Sequence, residues 1–410
     1  MGTIETLAGM IGNYLTKETG IAVVFESAIV PRWKDNCIQF KNVFVSRRPH
    51  SGNENRSNVS KGSALTAAAA AAAAKKKTLP EEEDEDTNYT QFDVTIDTVN
   101  VTLSIARWMN GKGLLKDVEI KGIRGVIDRT HVFWADGLDA RDFKHHHQPG
   151  DFEIESFKIE DLLVTVYQPD GFRPFPVSIY SCDLPQLRKQ WLFYDFLSAN
   201  NCSGSYDDSL FTIHPRQSHN ILPDSQNPWK RTSRFRIDGL SIDHLNRGVE
   251  GPFRWIQIGN VDMVADVNFP LDDDLQFSKL VHDIYEHMEA TMINTTSSDA
   301  NTDSSTDFSE IIKRIGQLGK KGSEEKFLVL DLHVQLNDVR AAVPLFTDDL
   351  SYVNNAMVRP IVAYVNRQKT YIPINCRVVK GVSQFDGSWT VYDSGLMDDL
   401  SAEVIAPRTL

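Results

Sequence analysis

One short pattern recurs along this chain and limits its fold more than any other feature: apolar residues in alternation, then Asn, Gly or Asp, then another apolar residue. It appears at residues 38–43 with Ile38, Phe40, Asn42 and Val43, at 118–123 with Val118, Ile120, Gly122 and Ile123, and at 157–162 with Phe157, Ile159, Asp161 and Leu162. It returns at 235–240 with Phe235, Ile237, Gly239 and Leu240, at 256–261 with Ile256, Ile258, Asn260 and Val261, and at 334–339 with Val334, Leu336, Asp338 and Val339. A weaker copy at 94–99 carries Thr98 at the special position. Alternation with a period of two describes a strand with one apolar face. The step of three across Asn, Gly or Asp keeps that face covered only if the strand accommodates one extra residue. Such an addition is a β-bulge, and these three residue types tolerate its left-handed backbone. A tight turn between two short strands would give the same spacing. The alternation that resumes downstream, at Val43 and Val45, Leu162 and Val164, Leu240 and Ile242, or Val261 and Met263, favours the bulge. Bulges bend a strand and increase its twist. The predicted fold is therefore α+β: a long, strongly curved antiparallel β-sheet, a groove or half-pipe of bulged strands, flanked by a few amphipathic helices.

Helical periodicity is sparser. It appears at residues 4–15 (Ile4, Leu7, Ile11, Tyr14, Leu15), after Pro185 (Leu187, Trp191, Tyr194, Phe196) and at 275–288 behind the acids Asp272, Asp273 and Asp274, which suit a helix first turn. It appears again at 308–318, ended by Gly319, and at 348–367, interrupted by Pro360. The whole of 1–410 reads as one elongated groove-like domain with two interruptions. Residues 50–88 pass from Ser, Asn and Gly through poly-Ala and Lys75, Lys76 and Lys77 into the acidic run 81–86, and read as a disordered insertion with a transient Ala helix. Residues 294–306 read as a flexible loop.

Composition narrows the function classes. With 56 acidic against 43 basic side chains and a net charge of −13, the chain lacks the basic stripe that nucleic acid requires, and no nucleic-acid contact is expected. No window reaches the roughly 18 uninterrupted apolar residues of a membrane helix. Cys37, Cys182, Cys202 and Cys376 show no zinc spacing and read as buried apolar residues, with a Cys182–Cys202 bridge as the lesser alternative. Residues 316–321 have the wrong spacing for a phosphate loop, and no G-x-S-x-G elbow exists. His282 and His287 flank Glu286, but five residues rotate about 140° around a helix and point the two imidazoles apart. His145, His146 and His147 occupy a polar loop and read as surface residues rather than metal ligands. Trp191, Phe193, Tyr194 and Phe196 read first as a buried helix face, then as a lipid or partner surface, and last as a nucleobase-stacking platform. No catalytic residue, cofactor or metal is indicated, and the chain is not expected to be an enzyme.

Several longer strings carry a family resemblance: residues 138–143, 151–167, 172–175, 184–201, 235–246 and 354–364. They resemble the fungal mitochondrial distribution and morphology proteins of the inner membrane, over most of the chain outside the two interruptions. The bulged-strand pattern is also similar to that of chorein-like and AsmA-like lipid-transfer proteins. The resemblance implies a domain facing the intermembrane space, anchored in the inner membrane by transmembrane helices. It also implies roles in mitochondrial shape, nucleoid maintenance and cardiolipin or phosphatidylethanolamine balance. The chain departs from the family in lacking a membrane span, so it is expected to be the soluble part between two anchors.

A curved sheet with one apolar face must cover that face, and the helices counted above are too few to do so along its length. The expectation is that phospholipid acyl chains occupy the remainder, lined by Phe40, Val45, Ile120, Ile159, Val164, Ile237, Ile242, Ile258, Met263 and Leu336. Expected partners are phospholipids, the inner membrane and possible contact with the outer one, and a sister family member or a second copy. The rival expectation is a non-catalytic structural tether whose own helices fill the groove.

Overall fold

The computed structural model describes residues 21–30, 37–48, 59–75, 88–133, 137–148, 150–216, 229–246, 256–270, 326–341, 367 and 371–405. Its strands are β1 (Ile21–Ile29), β2 (Cys37–Arg47), β3 (Val59–Lys61), β4 (Gln91–Leu103), β5 (Leu115–Asp128), β6 (Glu153–Ile154), β7 (Ser156–Tyr167) and β8 (Phe175–Leu184). They continue as β9 (Leu187–Arg188), β10 (Asn201–Tyr206), β11 (Ser209–Pro215), β12 (Trp229–Ser241), β13 (Ile256–Pro270), β14 (Phe327–Ala341) and β15 (Ile372–Gly381). Thirteen of them form one long curved sheet in the order β15-β14-β13-β12-β11-β10-β8-β7-β5-β4-β2-β1-β3, open between its two edges. The sheet is mixed rather than wholly antiparallel, because β5 pairs with β7 and β1 with β3 in parallel. The reason for the first is chain routing: residues 129–155 carry the chain from the end of β5 back to the level where β5 began, so β7 starts in the same direction.

Strands run unbroken through the repeated motif, so the special residues are not turns. At Gly239 and Asp338 the register shifts as at a bulge, while at Asn42, Gly122 and Asp161 opposed residues leave the ladder together and the register is kept. Asn42, Asp161 and Asp338 have φ of 50°, 58° and 50°, and Gly122 and Gly239 have 70° and 72°. The ladder skips these positions. Lys41 pairs with Thr98 and Val43 with Ile96, which sets Asn42 against Asp97 off the ladder. Lys121 pairs with Glu160 and Ile123 with Leu162, which sets Gly122 against Asp161. The interruptions align across neighbouring strands into a seam from Glu26 through Asn42, Asp97, Gly122 and Asp161 to Tyr180. Thr98 itself stays in the ladder, because the break of its strand falls at Asp97. At 256–261 the register shifts between Ile256 and Ile258 and again between Ile258 and Asn260, so that copy is irregular earlier than its sequence predicts.

Part of the expected disordered insertion is ordered. Val59–Lys61 adds to the edge strand β1, and the helix Ala64–Lys75 packs near β1, β2 and β4. Edge-strand hydrogen bonds and the burial of Val59 and Ala64, 7% and 6% exposed, offset the ordering entropy there. The rest of 50–88, all of 294–306, the helices expected at 4–15, 275–288 and 308–318, and 348–367 apart from Arg367 lie outside the described residues, as do His282, Glu286 and His287. After Pro185 the helix begins later than its periodicity implies. Leu187 and Arg188 pair with Ile154 and Glu153, Lys189–Trp191 form a 3-10 turn, and only Leu192–Leu197 is α-helical. Among the described residues no helix is long and apolar enough to cross a membrane.

Candidate functional site

The two faces of the sheet differ in chemistry. On the outer face a polar ladder crosses the strands: Gln39 Nε2 donates to Asn100 Oδ1 at 3.0 Å and Asn100 Nδ2 to Glu119 Oε2 at 2.9 Å, and Lys121 bridges Glu119 and Glu160 at 3.0 and 2.9 Å. The Asn100 hydrogen bond, helped by Lys121, holds the Glu119 carboxyl below its usual range. Beside the Gly239 bulge between β12 and β13, Asp262 accepts from the Gly239 N–H and from Asn337 Nδ2, both at 2.7 Å. The left-handed residue keeps each strand's apolar positions facing inward on both sides of the interruption.

The inner face divides into unequal halves. From β1 to β8 the cluster around Phe25, Val43, Ile96, Ile123, Val164 and Phe175 contains 8 fully buried hydrophobic residues and 13 partly buried ones among the described residues. From β12 to β15 the proportion reverses to 18 fully buried and 14 partly buried. The aromatic helix Leu192–Leu197 packs at one end of this second half, with Tyr194 edge-on to Phe269 at 5.2 Å and to Phe385 at 5.9 Å, and Phe193 stacked on Phe385 at 6.2 Å. Asp195 roots this helix. Its fully buried carboxylate accepts from Gln186 Nε2 at 3.0 Å, from the Arg188 N–H at 2.8 Å, and from Arg188 Nε and Nη2 at 3.0 and 2.6 Å.

The ten residues expected to line the groove follow this division. Phe40, Val45, Ile120 and Ile159 face inward in the first half and stay partly buried, beside Val164, which is 4% exposed. Ile237, Ile242 and Leu336 are buried in the β12–β15 half, and Met263 packs partly buried against that cluster. Ile258 stands apart from both clusters and is 56% exposed, because the shifted register of β13 turns it outward.

At the opposite strand ends a charged cluster that sequence reasoning did not single out stands at the β10–β11 turn. His244 Nε2 lies 2.7 Å from Asp207 Oδ2 inside a ring of Phe172, Phe175 and Tyr206, with centroids 5.1, 4.7 and 5.0 Å away. Arg173 bridges Asp207 and Asp243, and this guanidinium, followed by His244, holds the Asp207 carboxyl below its usual range. Asp207, Asp243 and His244 are close enough to share a cation, but Arg173 already neutralises the carboxylates, so the group ties the 171–175 loop to the helix Asp243–Asn246. Of the histidine run, His145 stacks on Trp389 at 3.7 Å while His147 turns toward Asp151, 3.8 Å away. The two are therefore drawn into different contacts. The one signal in the sequence for the charged cluster was the string 172–175, whose role depends on partners more than thirty residues away.

An open, bulged β-sheet with a polar outer face and a half-covered apolar inner face defines the class, and relatives of known name sharpen it. The family described as yeast mitochondrial distribution and morphology (MDM) proteins matches residues 2–407, and the chain belongs to it. It is 48% identical over 406 residues to "Mitochondrial distribution and morphology protein 31" of Saccharomyces cerevisiae, covering 97% of this chain and 68% of that protein. It is 42% identical over 412 residues to the protein of the same name in Schizosaccharomyces pombe, covering 98% of this chain and 64% of that one. "Mitochondrial distribution and morphology protein 32" of Vanderwaltozyma polyspora is 27% identical over 384 residues, with 88% of this chain and 48% of the relative covered. The chain thus spans about half to two thirds of the length of these relatives.

Proposed function

We propose that this chain is a lipid-carrying domain of a mitochondrial morphology protein. Acyl chains lie along the half-covered inner face of β1 to β8 while headgroups stay wet at the rim. The carrying observation is the contrast between equivalent motif positions. Ile237 and Leu336, in the β12–β15 half, are 6% and 2% exposed, whereas Ile120 and Ile159, at the same position of the same motif, remain partly exposed. A 16-carbon chain recovers up to about 13 kcal/mol on leaving water, at about 0.8 kcal/mol per CH₂. An apolar face without its own cover is therefore a strong sink for it. On this reading the domain faces the intermembrane space at the inner membrane, carries phospholipid across that space, and supports mitochondrial shape through cardiolipin and phosphatidylethanolamine balance. A sister family member or a second copy completes the path. Family membership and the relatives' printed names support the mitochondrial part of this reading.

The test is extraction of the chain, purified without added lipid, followed by mass spectrometry of the organic phase. Phospholipid at near one per chain, exchangeable with labelled phospholipid vesicles, is the expected result. A well-folded protein that carries no phospholipid and takes none up from vesicles overturns the reading and leaves the tether, whose groove is filled by the protein itself.

A further inference from the structure

The third core cluster lies where the two halves of the inner face meet, and at its centre two cysteines stand face to face. Cys182 of β8 and Cys202 of β10 are direct partners in the antiparallel ladder, next to Ala199 and Ile213. Directly opposed residues of such a pair point to the same face, with Cα atoms about 4.5–5.5 Å apart. That separation falls within the roughly 4.4–6.8 Å that a disulfide spans. Both thiols are free in this structure, and they are 4% and 0% exposed. Cys37 and Cys376 belong to β2 and β15, several strands away in either direction. The two thiols hydrogen-bond to each other, which lowers the pKa of Cys182 and raises that of Cys202.

We propose that Cys182 and Cys202 are a modification site, a reversible cross-strand disulfide that staples the root of the aromatic helix. The chain between them holds β9, the 3-10 turn Lys189–Trp191 and the helix Leu192–Leu197, which carry the aromatic side chains packed against the end of the second half at Phe269 and Phe385. Closing the base of this loop restricts the excursions through which the helix lifts from Phe269 and Phe385. The oxidant belongs to the class of small disulfides, with oxidised glutathione as the working example. The Cys182 thiolate attacks one of its sulfurs and releases one glutathione thiolate, forming a mixed disulfide. Cys202 then loses its proton and attacks the Cys182 sulfur, releasing the second glutathione thiolate. Two protein thiols lose two electrons and two protons, and one glutathione disulfide becomes two thiols.

The experiment equilibrates the full chain in buffers of stepped reduced-to-oxidised glutathione ratio, approached from both the fully reduced and the pre-oxidised protein. Intact mass, non-reducing peptide mapping and amide hydrogen exchange are read at each step. The expected result is loss of two hydrogens, a linked peptide joining Cys182 to Cys202, full reversal by dithiothreitol, and exchange across 186–199 slowed at least about fivefold in the oxidised form. Cys202→Ala and Cys182→Ala should each abolish the linked peptide and the slowing, while exchange protection of β13 and β14 shows that the fold is kept. Both thiols still reduced at the most oxidising ratio, or glutathione adducts without a linked peptide, overturn the site. A linked peptide with unchanged exchange across 186–199 overturns the staple. None of these readouts involves lipid, so the outcome is independent of whether the groove carries it.

Discussion

Placing a carboxylate at Ile159 separates a lipid-wetted face from an ordinary core. Ile159 projects inward from β7, with Ile120 of β5 on one side and Cys182 of β8 on the other, and is partly buried. Full burial of an isoleucine contributes about 1.5–3 kcal/mol relative to exposure. Ile159→Glu therefore forfeits about 1 kcal/mol of burial, and its carboxylate reaches water along the open side. For a chain of this size that lowers the melting midpoint by about 1 °C. Against bound hydrocarbon the same charge costs about 2.5–3.5 kcal/mol on insertion scales, a loss of roughly 100-fold in lipid affinity. Ile237→Glu is the internal comparison. Ile237 is 6% exposed in the β12–β15 half, and a carboxylate buried there without a partner is expected to cost at least about 4 kcal/mol and to unfold the chain. Calorimetry reads stability, and uptake of a fluorescent phospholipid from vesicles reads loading. Ile159→Glu should melt near the parent and fail to load. If it loads like the parent, or unfolds as Ile237→Glu does, the inner face of β1 to β8 is not a lipid surface.

Three further outcomes follow from the geometry. Gly122→Ala forces a side chain into a left-handed position directly against the Asp97 carboxylate, and should cost about 2–3 kcal/mol in denaturant unfolding; adding Asp97→Ala should return the part due to the clash and leave the part due to φ. The Asp207 carboxyl titrates lower folded than unfolded, so its contribution is full above the unfolded value near pH 4 and is lost as pH falls through the lowered folded one. The melting midpoint should thus drop on acidification below about pH 5, less steeply in Asp207→Asn, and parallel curves for the two proteins would refute the Arg173 pairing. Asp195→Ala strands the Arg188 guanidinium and main-chain N–H beside the helix and should cost about 3 kcal/mol, read as faster exchange across 186–199 before the sheet itself opens.

The sequence by itself determined the strands, their left-handed residues and the division between faces. Each of these is a local matter, in which period-two alternation sets the face and an Asn, Gly or Asp at the right place accepts a positive φ. Five of the six copies hold a left-handed residue where the pattern put it, at Asn42, Gly122, Asp161, Gly239 and Asp338. Tertiary structure decided which neighbours those strands have. Alignment of separate interruptions into one seam depends on register between strands up to tens of residues apart, and nothing within Asn42 or Gly122 specifies that Asp97 lies between them. It also decided that Ile258 turns outward, since two register shifts in β13 outweigh its own alternation. The ordering of 59–75 came from an available edge on β1, not from composition. Above all, Ile120, Ile159, Ile237 and Leu336 are alike in sequence and became unlike only in the folded chain, where Ile237 and Leu336 are buried and Ile120 and Ile159 stay partly exposed. Burial is a property of what covers a residue, and the cover comes from another part of the chain.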